Sequence, residues 1–413
     1  SIMNPACSAC STSLAPRGIN LGYLPVSHDL LLEPSVDPHS HRRIPFHLVQ
    51  CPRCALVQTF EAPSANDLIP RANWVSFTEP SLHLEDFAQA VLSILPPTKT
   101  SMIGGISSKD DSLLKILAAS SQASTWRIDP TVDTGFTGNS AGVSWLQETF
   151  DQSLANRLRA KHGKSDILVA RHFLEHVPHI PRIVQEMISL LKPGGHLVLE
   201  VPDCEQGLLV GDDSILWEEH HLCFTAATLT RSLRLAGLKI LWSKSYQFPN
   251  ETCLAVIATP ASPTALADTP PSPAEFDSFS TFAAGFPDRC RTIRHLLVTW
   301  RKHGAIAIYG AGHHTNTFLH AHKITDLIDF VVDDNPQKTG KFIPGTGIRV
   351  LNSDSLRHPE VSLCLSSLGF SAEQRVVSAS TAFTNAGGAF YSIFPKNNRS
   401  PFRWLAGSTL TPP

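Results

Sequence analysis

Two stretches decide the fold: Asp166-Ile-Leu-Val-Ala-Arg-His-Phe-Leu-Glu-His176-Val-Pro178 and, after an amphipathic segment, Leu191-Lys-Pro-Gly-Gly-His-Leu-Val-Leu-Glu-Val-Pro202. Each holds a largely apolar run, Ile167–Ala170 and Gly195–Val201, of strand length and not of helix length. Between them, residues 180–191 place apolar side chains at helical spacing. Strand, helix and strand with continuously apolar strands describe a parallel sheet covered on both faces. The same alternation continues outward. Strands are expected over Thr100–Gly104, Ser124–Ile128 and Leu254–Ala258, and helices over Ser112–Ala119, Ser153–Lys161 and Ala226–Ala236. The fold class is therefore α/β, with ligands expected at the carboxyl edge of the sheet.

Composition shifts mark the borders of this core. Residues 1–70 are rich in turn formers and hold two CxxC knuckles, Cys7-Ser-Ala-Cys10 and Cys51-Pro-Arg-Cys54. Two such pairs supply the four thiolates of a closed tetrahedral Zn²⁺ site, which holds structure and leaves no position for catalysis. Redox dithiols are the alternative, but no thioredoxin-like strand and helix surround either pair. The core occupies 71–258, a Pro/Ser/Thr/Ala-rich linker 259–275, and a second α/β alternation 276–413. Nine cysteines, an odd number, disfavour a disulfide framework and suit a cytoplasmic protein. Lys+Arg 34 against Asp+Glu 36 leaves a net charge of −2, which speaks against nucleic-acid binding by bulk charge. No apolar run suits a membrane span and the first residues do not resemble a signal peptide. The expected partner is a small molecule.

Within the core, Met102-Ile-Gly104-Gly105-Ile-Ser107-Ser-Lys-Asp-Asp places small residues where a strand gives way to a helix, so that a cofactor could approach the backbone. Asp129 closes the next strand, at a spacing that suits hydrogen bonds to ribose hydroxyls. A tight turn explains the glycines equally well. In the last third, Ala305-Ile-Ala-Ile-Tyr-Gly310-Ala-Gly312-His313-His314-Thr-Asn316 leads a strand through a Gly-rich turn into a helix start, and Phe330-Val-Val-Asp-Asp334 ends the next strand ahead of Lys338. A scaffolding domain without a ligand is the alternative reading there.

The order of these segments resembles class I S-adenosylmethionine (SAM)-dependent methyltransferases. With the cysteine module before the core and the α/β unit after it, the whole chain resembles the sugar C-methyltransferase family. That likeness implies a class I Rossmann-like core, an N-terminal zinc-binding module and a C-terminal second Rossmann-like domain that binds a nucleotide sugar. In the family a His-rich loop follows the fifth core strand; the matching segment is Trp217-Glu-Glu-His220-His-Leu-Cys-Phe-Thr225. The resemblance assigns the catalytic histidine to His220, its neighbouring carboxylate to Glu219 and a second active-site histidine to His176. It assigns the SAM site to Gly104, Gly105, Ser107, Asp129, Arg171 and His172, and acceptor contacts to Trp217, Gly310, Gly312, His313, His314, Asn316 and Lys338. The chain departs from the family in its first glycine motif, in Trp217 where the family has Tyr, and in His313-His314 where it has small residues and Lys.

Carbon methylation needs a proton removed beside a carbonyl, and a neutral histidine suits that task. Adjacent side chains rarely face each other, so Glu175 or Glu218 could partner His220 in place of Glu219. Glu79 and His83, in the segment Trp74–His83 before the core, are further candidates for a lid over the cofactor. A solvated polar loop is the plain reading of residues 218–221. The expected activity is SAM-dependent C-methylation of a nucleotide-linked keto-deoxysugar. Methylation of another natural-product acceptor at O, N or C, or a non-catalytic scaffold, are the alternatives.

Overall fold

The computed structural model describes residues 3–400 apart from 36, 73–74, 76–78 and 139–142, so Trp74, Ser76, Phe77 and Thr78 of the segment Trp74–His83 lie outside the described residues. The chain forms two compact units: Ser1–Gly18, His47–Glu205 and Glu219–Asp277 make the first, and Ile19–Phe46, Gln206–Glu218 and Ser278–Pro413 the second. Strand β1 (Gly18–Pro25) and the first half of β2 (Arg43–Gln50) lead the second unit, while the end of β2 and β3 (Val57–Thr59) belong to the first.

In the first unit, β4 (Met102–Gly105), β5 (Ser124–Arg127), β6 (Ser165–Arg171), β7 (Leu191–Pro202), β9 (Leu238–Gln247) and β10 (Thr252–Pro260) form one sheet in the order β5-β4-β6-β7-β10-β9. Short β8 (Leu222–Cys223) lies outside it and pairs antiparallel with β3. The first four strands of that order run parallel, and β10 runs antiparallel to both of its neighbours. The chain moves outward from β4 to β5 and then returns on the other side of β4 as β6. The order therefore reverses between β4 and β6, and a ligand crevice opens at their carboxyl ends. This is the Rossmann-like core expected from the sequence.

Alternation along the strands builds the layers. Leu168, Ala170, Leu197, Leu199 and Val256 join one cluster with Leu154, Leu158, Ile183, Met187 and Leu229 of the helices on that face. Ile167, Val169, Val198, Ala255 and Ile257 point the other way, onto Phe87, Val91, Leu113 and Leu117. Both faces of the sheet are thus dry, which is why its central strands read as largely apolar runs. Each fully buried leucine contributes roughly 1.5–3 kcal/mol of transfer free energy.

Two local differences from the sequence reading have clear causes. Residues 191–195 belong to β7 and not to a turn before it: pairing jumps from Ser165↔Leu191 to Ile167↔His196, with Gly194 at φ +76° in the bulge. Strand β9 had no apolar signal because it is an edge strand with Lys239, Ser243, Lys244 and Ser245 along it.

The second unit carries a five-stranded parallel sheet, β13-β12-β11-β14-β15, from β11 (Ala305–Tyr309), β12 (Phe330–Val332), β13 (Val350–Leu351), β14 (Val361–Ser366) and β15 (Ala389–Ser392). Its helix Pro273–Arg301 starts well ahead of Asp288, where apolar periodicity first becomes legible, and contains Pro287. Among the described residues no helix is long and apolar enough to cross a membrane.

Candidate active site

Four loops of the first unit meet at the switch point. The loop after β4 folds as a short 3-10 turn, Ser108–Asp110, with Asp110 as its anchor. The Asp110 carboxyl accepts the backbone N–H groups of Ile106 (2.7 Å), Ser107 (3.0 Å) and Arg171 (2.7 Å), tying the ends of β4 and β6 together. Burial pushes its pKa up to about 6, against the pull of those donors. Ser107 is buried and its hydroxyl caps the turn through Lys109 N–H.

The expected cofactor residues divide. The space that a Cβ would take at Gly104 is filled by the Trp126 indole at 2.4 Å, and at Gly105 by Leu114 Cδ1 at 2.7 Å. Packing inside the unit is therefore a sufficient reason for both glycines. Asp129 is exposed at the end of β5, where Oδ1 accepts N–H bonds from Thr131 and Val132 and caps the helix Pro130–Thr134. Its carboxylate retains acceptor capacity for a ligand hydroxyl.

Arg171 and His172 sit deeper, inside a buried ion network. Arg171 donates to Lys109 O (2.7 Å), Pro80 O (3.0 Å) and Glu200 Oε1 (3.3 Å). Glu200, fully buried in the middle of apolar β7, also meets His83 Nε2 at 2.7 Å and His172 Nε2 at 2.8 Å. Burial would raise the Glu200 carboxyl, yet the two rings and the Arg171 guanidinium hold it well below its usual range. His172 adopts φ +51°, an uncommon conformation for a side-chain-bearing residue, which the surrounding contacts impose. Burial opposes its charge, but Glu79, with Cys253, Glu175 and Glu200 beyond it, keeps the imidazolium well above the usual histidine range.

Glu79 links this network to Lys109: Lys109 Nζ lies 2.9 Å from Glu79 Oε1, and His172 Nδ1 lies 3.5 Å from both Glu79 Oε2 and Glu175 Oε2. Burial disfavours the Glu79 charge, but His172 and Lys109 outweigh it and bring the carboxyl down to about 2. Lys109 is likewise held above its ordinary range, because the Glu79 and Glu175 carboxyls overcome its burial. Lys109, Asp110 and Glu200 were not singled out from the sequence. A glutamate interrupting the apolar run Leu197–Val201 was the available signal for Glu200.

The His-rich loop is brought to the same edge. His176 Nδ1 donates to the Glu219 carbonyl at 2.7 Å, which fixes the tautomer and leaves Nε2 as a lone pair. The His176 and His220 rings meet edge-on at 5.2 Å between centroids, and one ligand-type atom from each lies within 4.8 Å of the others and of a Glu175 oxygen. His176 Nε2 and both Glu175 oxygens are buried with no hydrogen-bond partner in the protein. Burial, then the His176 ring and the Lys109 charge, press His220 down to about 3; burial and Lys109 do the same to His176. Both rings are therefore neutral near pH 7. Glu175, one of two alternatives to Glu219, is the carboxyl that joins the two histidines. The Glu219 contribution in this cluster is its backbone carbonyl, while Glu218 accepts from Ser27 N at 2.7 Å in the second unit.

In the second unit the Trp217 ring stacks on His313 at 3.8 Å. Gly310, at φ +108°, makes the turn after β11, and Gly312 caps the helix His313–Ala321. Lys338 Nζ reaches Ala311 O (3.1 Å) and Asp333 (3.7 Å) beside that turn. Asn316, buried, donates to Pro25 O, and His314, also buried in its ring, packs edge-on against Phe394. Trp217, Gly310, Gly312, His313 and Lys338 thus gather around one turn, whereas His314 and Asn316 face into the packed unit.

The four cysteine sulfurs of the knuckles lie within 4.8 Å of one another, with Cys7–Cys54 at 3.5 Å and Cys10–Cys51 at 3.6 Å. A tetrahedral ion with Zn–S bonds of about 2.3 Å needs sulfurs about 3.8 Å apart, so the donor set fits. Backbone N–H groups of Ala9, Arg53 and Cys54 point at these sulfurs, as thiolates require. None of the nine cysteines is in a disulfide.

Residues 106–242 match the model of a methyltransferase domain, and residues 272–395 that of the C-methyltransferase C-terminal domain. The chain is 21% identical to C-methyltransferase NovU of Streptomyces niveus over 54% of its own length and 53% of the relative's, so it spans about half of that protein. Among solved structures, 1,6-didemethyltoxoflavin-N1-methyltransferase of Burkholderia thailandensis aligns over 44% of this chain and 79% of its own at 11% identity and TM-score 0.30. A SAM-dependent methyltransferase of Methanosarcina mazei aligns over 45% and 99% at 17% identity and TM-score 0.29. The fold assignment rests on the strand order.

Proposed function

We propose that this chain, which belongs to the C-methyltransferase family through the two domains it carries, methylates a carbon of a small-molecule acceptor. When bound, SAM supplies an electrophilic methyl group, and alignment and proton removal fall to the side chains. The carrying observation is a neutral His220 beside His176 and Glu175 at the carboxyl edge of a Rossmann-like sheet. His220 takes the proton next to the acceptor carbonyl, and the Glu175 carboxyl stabilises the resulting imidazolium. Asp129 suits the ribose hydroxyls. Lys109 and Glu79, one positive and one negative, suit the carboxylate and ammonium of an amino-acid moiety. Buried His176 Nε2 and Glu175 Oε1 have no hydrogen-bond partner in the protein, which supports a ligand site here.

The acceptor we infer is a nucleotide-linked keto-deoxysugar; within the second unit, the Gly310–Gly312 turn and the stacked Trp217–His313 rings suit a nucleotide. Zn²⁺ is the ion proposed for Cys7, Cys10, Cys51 and Cys54, with a structural role. Nine unpaired cysteines support a reducing compartment such as the cytoplasm. Calorimetric titration with SAM, then mass spectrometry of a nucleotide-sugar panel, tests the reading; absence of SAM binding at millimolar concentration refutes it. Trp217, which has no hydroxyl to share where the family has Tyr, favours a second reading: transfer to O or N of another acceptor. NMR of the product's methyl position separates the two.

A further inference from the structure

The residue after the proposed base has no role in the chemistry above, yet both of its ring nitrogens are hydrogen-bonded. His221 is buried between the cysteine knuckle and β3. Its Nδ1 lies 2.5 Å from Thr59 Oγ1 and its Nε2 2.8 Å from Ser8 Oγ. Thr59 spends its own hydroxyl proton on Glu61 O at 3.0 Å, so it accepts from His221 Nδ1–H. Nε2 is then the lone pair that accepts the Ser8 hydroxyl proton. A backbone bond from Thr59 N to His221 O, at 2.9 Å, and the pairing Gln58↔Leu222 complete the attachment.

The other side of this attachment is the cysteine cluster. Ser8 lies between Cys7 and Cys10, and Gln58 holds both: Oε1 accepts from Ser8 N at 2.9 Å while Nε2 donates to Cys7 Sγ at 3.2 Å. His221 and His220 are adjacent in the chain, so the bonds that fasten the His221 ring and carbonyl also hold the backbone from which the His220 ring meets His176.

We propose that His221 is a positioning residue, through which the four-cysteine knuckle sets the place of His220 in the active site. The proposal rests on His220 as the base. Its consequence is that the knuckle acts on turnover as well as on stability.

The test uses the full chain with its bound metal. Thr59→Val removes the acceptor for Nδ1–H while keeping side-chain shape, and His221→Asn removes the ring. Hydrogen–deuterium exchange followed by mass spectrometry is expected to show residues 219–224 exchanging about tenfold faster in both variants, the loss of roughly one net hydrogen bond. Exchange in β7 and the metal content should stay as in the parent protein. With an acceptor, kcat should fall about tenfold while KM for SAM changes less than about twofold, and Thr59→Ser should restore both readouts. Unchanged loop exchange, or a rise shared equally by β7, overturns the proposal. Failure of the parent protein to bind SAM would instead remove the methyl-transfer reading and leave the exchange result to decide the attachment.

Discussion

Glu200→Gln probes the network beneath the active site with the least change of shape. Glu200 has no solvent exposure and is the common partner of Arg171, His172 and His83. Glutamine keeps the volume and an acceptor oxygen but leaves the Arg171 charge without its buried counter-charge and His172 with one carboxylate fewer. Breaking a buried pair in this way costs about 3–5 kcal/mol. For a unit of this size, roughly 2–4 °C of Tm per kcal/mol gives a fall of about 6–20 °C.

The pH dependence follows from the directions of the shifts. Glu200 is depressed in the folded chain, so it contributes stability above the ordinary glutamate range that disappears as pH falls through its folded value. His172 is raised, so it contributes stability below about pH 6.5 that disappears as pH rises through its folded value. Removing Glu200 weakens both, and the variant's deficit should be largest between the two ordinary values, about pH 4.3 to 6.5. Urea denaturation across that range, with calorimetric melting at pH 7, reads the effect. A loss under about 1 kcal/mol at pH 6, or a deficit that grows below pH 3, would refute the view that Glu200 anchors a charged network.

His220→Gln should lower kcat by about 10²–10⁴-fold with SAM affinity by calorimetry unchanged. Because the ring is already neutral and pressed down to about 3, activity of the parent protein should persist on the acid side well below pH 6.5 and be lost only as pH falls further toward that value; a pH–rate profile checks this. On the zinc assignment proposed above, Cys51→Ser removes one of four ligands and should lower both the zinc content read by elemental analysis and Tm; a parent-like zinc content refutes the assignment. Gly104→Ala places a Cβ 2.4 Å from the Trp126 ring, and overpacking there should cost about 1–3 kcal/mol in chemical denaturation.

The strands of the core were legible because both sheet faces are apolar: Ile167–Ala170 lies within β6 and Gly195–Val201 within β7. The knuckles were legible because four thiols in two tight turns have few other uses, and His220 because the segment Trp217–Thr225 resembles the family's His-rich loop. Glu175 could be named only as one of several partners, since no spacing rule says which carboxyl a loop will fold against. Lys109 and Asp110 looked like an ordinary polar helix start.

The sequence alone determined a parallel α/β core, a cysteine cluster before it and a second α/β unit after it, because period and turn chemistry are local properties. Only the tertiary structure decided that Ile19–Phe46 and Gln206–Glu218 return to the second unit, that Glu200 meets Arg171, His172 and His83 together, and that His221 is fastened beside Cys7. Those are contacts between residues far apart in the chain. They depend on which loops the closed sheet brings to one edge, and no local periodicity records that choice.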